Sequence, residues 1–150
     1  MTPSSTPMPV HAQASILLVS PKGDDRKSLQ NLLQDWAIDS TDTCREALAA
    51  LSANTVEVVV CNEDLRDGNW SDLLRALAYL DSPPPVIVLS NRADEHLWAD
   101  VLRAGAYDLL PVPLERADAV RTISQAAERR ACQRSEQPRA LRMAAGAAGA

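Results

Sequence analysis

Phenylalanine is missing from the sequence, and glycine is scarce, with five residues in a chain of 150. Loops that hold phosphate through backbone amides need several glycines close together, so this scarcity argues against such a loop. The three cysteines, Cys44, Cys61 and Cys132, are widely spaced and form no Cys-x-x-Cys pair. Their number and spacing argue against a zinc site or a disulfide framework and favour a reducing compartment.

Positive charge is also in short supply, with 15 Lys and Arg against 20 Asp and Glu. Duplex binding needs a basic surface, so nucleic acid is not an expected partner. No apolar stretch approaches the roughly 20 residues that span a membrane. Residues 1–13 lack the basic and then apolar pattern of a secretory signal. We therefore expect a cytoplasmic protein that does not bind membranes.

The hydrophobic content of 46% is ordinary for a globular chain, and 150 residues suit one domain. The Pro-, Ser- and Thr-containing residues 1–13 are interpreted as a flexible leader, 14–134 as the domain and 135–150 as a flexible tail. Residues 1–114 carry 8 basic and 16 acidic side chains, whereas 115–150 carry 7 basic and 4 acidic ones. The closing helix is therefore the basic part of an acidic domain.

Short apolar runs alternate with amphipathic segments five times along the chain. The predicted strands are Ser15–Val19, Ile38–Asp42, Val56–Cys61, Val86–Leu89 and Tyr107–Leu110. The predicted helices begin near Asp24 or Asp25, at Thr43, at Trp70, near Ala93 and at Leu114. This alternation predicts an α/β fold, a doubly wound parallel sheet covered on both faces. Functional residues should then lie at the carboxyl ends of the strands.

Two motifs at that edge carry a family resemblance. The segment Cys61–Gly68 resembles the loop after the third strand of the receiver domain of two-component response regulators. The segment Gly105–Pro113 is similar to the family's Gly-Ala-x-x-Tyr-x-x-Lys-Pro signature. The resemblance covers about residues 15–132. It implies a flavodoxin-like, five-stranded parallel sheet in the order 2-1-3-4-5 with five helices, and a cis bond between Val112 and Pro113.

The resemblance also implies a chemistry. In the family, an aspartate after the third strand accepts a phosphoryl group, and an acidic pair after the first strand holds Mg²⁺. A lysine pairs with the phosphoryl group. Here the nucleophile position carries Asn62, the acidic pair is Ser20 and Pro21, and the lysine position is Val112. We therefore expect a degenerate pocket with no catalytic residue, no metal, no cofactor and no enzymatic activity.

Two further family positions concern the readout of phosphorylation. Ser90 retains the hydroxyl that contacts the phosphoryl group, whereas Leu109 replaces the aromatic that follows its movement. Asn62 is interpreted either as a cap at the end of its strand or as a mimic of a fixed receiver state. Glu63 and Asp64 are expected to be solvated loop charges, and Asp24 and Asp25 helix caps rather than metal ligands.

These residues predict a stand-alone, receiver-like signalling protein that works without phosphorylation, through protein contacts. The expected partner is a histidine kinase or another signalling protein, or a second copy. The expected surface is the face of the fourth helix, fifth strand and fifth helix, with Trp98, Arg103 and Arg129. An alternative is a working phosphoacceptor that uses Asp64 or Glu63. A cofactor-binding enzyme is disfavoured because no Gly-x-Gly-x-x-Gly follows the first strand.

Overall fold

The computed structural model describes residues 15–21, 23–34, 36–53, 55–80, 82–92 and 94–136, the last five of them by backbone alone. The predicted leader, residues 1–13, lies outside this described part. So does the predicted tail, 135–150, apart from its first two residues, which continue the last helix. No helix in the described part is both long and apolar enough to cross a membrane.

One parallel sheet of five strands forms the centre of the molecule. Its strands are β1 (Ser15–Val19), β2 (Ala37–Thr41), β3 (Val58–Asn62), β6 (Val86–Ser90) and β7 (Asp108–Pro111). They are arranged in the order β2-β1-β3-β6-β7. Two short strands, β4 (Asp64–Leu65) and β5 (Gly68–Asn69), lie outside this sheet. Counted along the chain without them, this is the predicted order 2-1-3-4-5. The Val112–Pro113 bond is cis, as the resemblance implied.

Five helices connect and cover the strands. They are α1 (Gly23–Leu32), α2 (Cys44–Ala53), α3 (Trp70–Leu77), α4 (Glu95–Arg103) and α5 (Arg116–Glu136). Helix α4 begins later than predicted because Asp94 is its N-cap and accepts a hydrogen bond from the Leu97 amide at 2.8 Å. Helix α1 begins at Gly23, so Asp24 and Asp25 lie inside its first turn. The expectation that either one is the N-cap was wrong.

Alternating strand residues build two hydrophobic layers, one on each face of the sheet. In β1, Ile16 and Leu18 face the layer that α1 and α5 cover, whereas Leu17 and Val19 face the layer under α2, α3 and α4. Aliphatic side chains fill most of both layers, and Trp36 is the aromatic residue among their buried members in the described part. Leucine, isoleucine and valine thus replace the missing phenylalanine.

The polar loop after β3 contains a short antiparallel hairpin that the sequence did not predict. Its strands are β4 (Asp64–Leu65) and β5 (Gly68–Asn69). Gly68 has a φ of +155°, and an added Cβ would lie 2.5 Å from a carboxylate oxygen of Asp72. Asn69 and Asp72 form a reciprocal capping box that starts α3. The hairpin therefore leads the chain directly from the sheet edge into α3.

Candidate functional site

Backbone hydrogen bonds extend the sheet one residue past the ends of its strands. The Ser20 amide donates to Thr41 at 2.9 Å, the Glu63 amide to Leu89 at 2.9 Å and the Val112 amide to Ser90 at 3.0 Å. These bonds fix the residues that follow β1, β3 and β7 in line with the sheet. The structure therefore brings Ser20, Asn62, Ser90 and Val112 to one edge, as the sequence predicted.

A partly buried carboxylate lies at the centre of the first half of this edge. One oxygen of Asp25, Oδ2, accepts hydrogen bonds from the Ser20 hydroxyl at 2.8 Å and from Nδ2 of Asn62 at 2.7 Å. The other end of the Asn62 amide accepts a bond from the Asp64 backbone amide at 3.2 Å. We call Ser20, Asp25 and Asn62 the Asp25 cluster. Both ends of the Asn62 amide are used, so asparagine suits this position by its hydrogen bonding.

Asp25 reaches this cluster because of where it lies in α1. Side chains of a helix lean toward its N-terminus, so a residue in the first turn after a strand points back over the carboxyl end of that strand. Asp25 therefore contacts Ser20, five residues earlier, and Asn62 across the edge. The prediction had treated the pocket as nearly free of acid, and Asp25 corrects it. The spacing within the first βα unit was the signal that could have found it.

A second carboxylate occupies the other half of the edge. The Ser90 hydroxyl donates to Oε1 of Glu63 at 2.7 Å, and Nη2 of Arg92 lies 3.2 Å from Oε2. Ser90 also accepts a hydrogen bond from the Arg92 backbone amide at 2.9 Å. We call Glu63, Ser90 and Arg92 the Glu63 cluster. The expectation that Glu63 is a solvated loop charge was wrong, because its side chain is only 16% exposed and has two partners. Arg92 had not been singled out.

The donors at this edge do not fit the family's magnesium ion. Such an ion prefers several anionic oxygens, whereas Ser20, Pro21 and Asn62 are neutral. Asp25 brings a carboxylate, but one of its oxygens already accepts two hydrogen bonds. Among the described residues, no group of three or more His, Cys, Asp or Glu side chains is placed to hold a metal. Asp64, the remaining carboxylate next to Asn62, is exposed to solvent, as expected of a loop charge.

Apolar side chains stand at two further family positions. Val112 is partly buried and packs against the layer beneath α1 and α5. Leu109 is buried in the opposite layer and lines a shallow cavity of about 310 Å³ with Asp94, Glu95 and Trp98. The ring nitrogen of Trp98 donates to Asp108 at 3.2 Å. Leu109 therefore connects the core to the surface that carries Trp98.

The three residues of the predicted interaction surface are exposed, and each already contacts another side chain of the protein. Trp98 is 49% exposed, which leaves about half of a large aromatic side chain in solvent. Arg103 is exposed and pairs with Asp100 at 3.6 Å. The Arg129 guanidinium lies 5.6 Å from the centre of the Tyr107 ring, a cation–π contact. As predicted, Trp98 and Arg103 lie on α4 and Arg129 lies on α5, beside β7.

A third carboxylate near the edge has a structural contact that the sequence did not reveal. Asp67 accepts hydrogen bonds from the backbone amides of Cys44 and Arg45, at 2.7 and 3.1 Å. These bonds hold the pKa of Asp67 below its usual value, and the bond from the Cys44 amide has the larger effect. Thr43 caps the same helix by accepting a bond from the Glu46 amide at 3.0 Å, as predicted. Asp67 thus attaches the loop after β3 to α2.

The surroundings of Cys61, beside this edge, disfavour a reactive thiolate. Cys61 precedes Asn62 and is fully buried. Burial, and secondarily the nearby Cys44, raises the pKa of the Cys61 thiol far above its ordinary value. A nucleophilic cysteine needs a thiolate, which this environment disfavours.

Comparisons with known proteins agree with the fold. A family model described as "response regulator receiver domain" matches residues 16–124. The C4-dicarboxylate transport transcriptional regulatory protein DctD of Rhizobium meliloti (strain 1021) is 29% identical over an alignment of 121 residues that covers 79% of this chain. The chain spans 26% of the length of that relative.

Solved structures of receiver domains share the fold. A signal receiver domain from Vibrio parahaemolyticus superimposes with a TM-score of 0.77 at 18% identity, covering 84% of this chain and 98% of that one. The receiver domain of an HD domain-containing protein from Pseudomonas fluorescens Pf-5 gives 0.76 at 22% identity, with 87% and 98% covered. At these identities the likeness shows the fold alone.

Proposed function

We propose that this chain, which belongs to the response regulator receiver domain family of two-component signalling, signals through contacts with another protein and without being phosphorylated. The proposal includes no enzymatic activity of its own, no bound Mg²⁺ and a location in the cytoplasm. Free cysteines at 44 and 61 are consistent with that location.

The Asn62 amide is the observation that carries the proposal. It stands at the end of β3, where the family has its phosphoacceptor, and an amide has no anionic oxygen for attack on phosphorus. Its nitrogen donates to Asp25 and its oxygen accepts from Asp64, so the side chain is held in a structural role. The neutral Val112 adds to this, since it cannot pair with a phosphoryl group as lysine does.

Treatment with acetyl phosphate and Mg²⁺ followed by intact-mass measurement tests this proposal. We expect no phosphate adduct, and no change in the NMR spectrum when beryllofluoride and Mg²⁺ are added. A single adduct that disappears in Asp64→Asn or Glu63→Gln would instead establish the alternative, a receiver that phosphorylates one of these carboxylates. Glu63 is the weaker of these two candidates, because Ser90 and Arg92 already engage it.

The proposed contact surface is the face of α4, β7 and α5 around Trp98. A half-exposed tryptophan can bury a large apolar area against a partner. A histidine kinase, another signalling protein or a second copy of the chain would each fit this role. Sedimentation over a range of concentrations tests the second copy. We expect Trp98→Ser to weaken any dimer, whereas Tyr79→Ser, at a residue that is 91% exposed on the loop after α3, should not.

A further inference from the structure

We propose that the Glu63 cluster is a site for an oxyanion, which the chain fills with its own Glu63 carboxylate. Ser90 and Arg92 are the groups that recognise the anion. When the Glu63 side chain is removed, a free carboxylate or inorganic phosphate should bind in its place. This inference rests on the proposed function, because an edge that gains no phosphoryl group leaves Ser90 to be satisfied from within the chain.

The contacts of Glu63 are those expected of a bound anion. Its two oxygens are recognised separately, Oε1 by the Ser90 hydroxyl at 2.7 Å and Oε2 by the Arg92 guanidinium at 3.2 Å. A hydroxyl and a guanidinium are the donors that carboxylate and phosphate oxygens commonly accept from. Nothing in this recognition depends on the anion being attached to the chain.

The two groups that recognise the anion, Ser90 and Arg92, differ in how far they are buried. Ser90 is 2% exposed, so its hydroxyl depends on a partner inside the protein. The Arg92 side chain is 72% exposed and covers Glu63 from the solvent side. Loss of the Glu63 side chain would therefore leave a buried hydroxyl without its carboxylate, next to a cation that water can reach. A small anion can enter from the side of Arg92.

The site also contacts the turn that precedes α4. The Ser90 oxygen accepts from the Arg92 backbone amide at 2.9 Å, so one hydroxyl connects Glu63 to the turn between β6 and α4. Asp94 then caps α4, which carries Trp98 on the proposed contact surface. Glu63 is therefore a positioning residue, which fixes the turn that precedes that surface.

Chemical rescue in Glu63→Ala tests the proposal, with Asp64→Ala as the matched control at the exposed neighbouring carboxylate. We expect the Arg92 amide to exchange its hydrogen roughly tenfold faster in Glu63→Ala than in the unsubstituted protein. Sodium acetate and sodium phosphate, added separately at constant ionic strength with chloride, should restore the protection. Both should also shift the Ser90 and Arg92 amide signals with saturation, and Ser90→Ala in the same background should abolish these shifts.

Several results would overturn the proposal. They are equal exchange in the two alanine variants, shifts that rise linearly with salt as for an adventitious ion only, and shifts that survive Ser90→Ala. If Glu63→Ala fails to fold, Glu63→Ser is titrated in its place with Asp64→Ser as its control, since the shorter side chain also removes both carboxylate oxygens from the site. A phosphate adduct on the unsubstituted protein would overturn the proposed function whatever the titrations show, so the two failures are distinguishable.

Discussion

The Asp25 cluster and the Glu63 cluster lie at the same edge of the sheet, and each is organised by one carboxylate. In the first, the carboxylate comes from a helix and accepts from two buried, neutral side chains, Ser20 and Asn62. In the second, it comes from the loop after β3 and is shared by a buried hydroxyl and an exposed arginine. The first therefore connects the ends of β1 and β3, whereas the second reaches the solvent through Arg92.

This difference suggests a separate role for each half of the edge. The two donors to the partly buried Asp25 carboxylate are themselves buried and neutral, so breaking their bonds is costly and the Asp25 cluster should be rigid. In the Glu63 cluster the arginine is 72% exposed, and a pair with such an exposed partner contributes little free energy, so Arg92 can leave Glu63 at small cost. The predictions below test whether the two halves differ in this way.

The largest effect is expected for Asn62→Asp, which would replace the donor 2.7 Å from Asp25 with a second carboxylate. Two close carboxylates repel, and the hydrogen bond is lost, so we expect the free energy of unfolding to fall by about 3 kcal/mol at neutral pH. Repulsion raises the pKa of the pair. The destabilisation should therefore decrease as the pH falls and one proton is taken up. Urea unfolding at several pH values measures both effects.

The double variant Asp25→Asn with Asn62→Asp is the control for that experiment. It exchanges donor and acceptor and keeps one carboxylate in the cluster, so most of the lost stability should return. If Asn62→Asp alone is as stable as the unsubstituted protein, the Asp25 cluster is not the rigid half of the edge.

The next effect is expected at Gly68, in the hairpin that begins beside the Asp25 cluster. A Cβ there would lie 2.5 Å from Asp72 at a φ of +155°, so Gly68→Ala should cost about 2 kcal/mol. Gly105→Ala is the matched control, because it shares a positive φ of +107° but nothing lies within 4 Å of its added Cβ. Its cost should be about 1 kcal/mol, from backbone strain alone.

Hydrogen exchange in Gly68→Ala sharpens the comparison of the two clusters. The hairpin includes Asp64, whose amide donates to Asn62. Exchange of the Asp64 amide should therefore increase, whereas that of the Arg92 amide in the Glu63 cluster should change little. An equal increase at both amides would mean that the two clusters open together.

A smaller effect is expected for Asp67→Ala, outside both clusters. The variant removes the acceptor of two amides at the start of α2, and we expect a loss of about 1 kcal/mol. The pKa of Asp67 is lower in the folded than in the unfolded chain. Its stabilisation is therefore present above the unfolded value, about 3.9, and is lost as the pH falls through the lower folded value. Thermal unfolding of both proteins between neutral and acidic pH should show the difference vanish in acid, and a constant difference would contradict this assignment.

The sequence predicted the positions of these residues better than their partners. Continuous apolar runs identify buried parallel strands, and the carboxyl ends of such strands must share an edge, so Ser20, Asn62 and Ser90 could be placed in advance. The bonds of Asp25 and Glu63 depend on where a helix starts and which way a side chain turns, to within one residue. Composition and periodicity do not carry that information, although the spacing within the first βα unit could have placed Asp25 near Ser20.

The two-residue strands β4 and β5 were missed for a related reason. A run of two residues has no period from which a strand can be recognised. The contact of Asp67 with Cys44 and Arg45 joins residues 22 and 23 positions apart, and no local pattern encodes it. The N-cap Asp94, by contrast, was visible in the sequence, and giving it more weight would have placed the start of α4 correctly.

The smallest effect is expected for Arg92→Gln in the Glu63 cluster. Because the arginine side chain is 72% exposed, its ion pair with Glu63 should contribute no more than about 0.5 kcal/mol. Most of that contribution should vanish at high salt, since mobile ions screen exposed charges, while the bond between Ser90 and Glu63 remains. Urea unfolding at low and high salt measures this, with Asn62→Asp as the comparison that salt should affect less. A loss above about 1.5 kcal/mol, insensitive to salt, would place Arg92 among the groups that hold the fold, as Asp25 does.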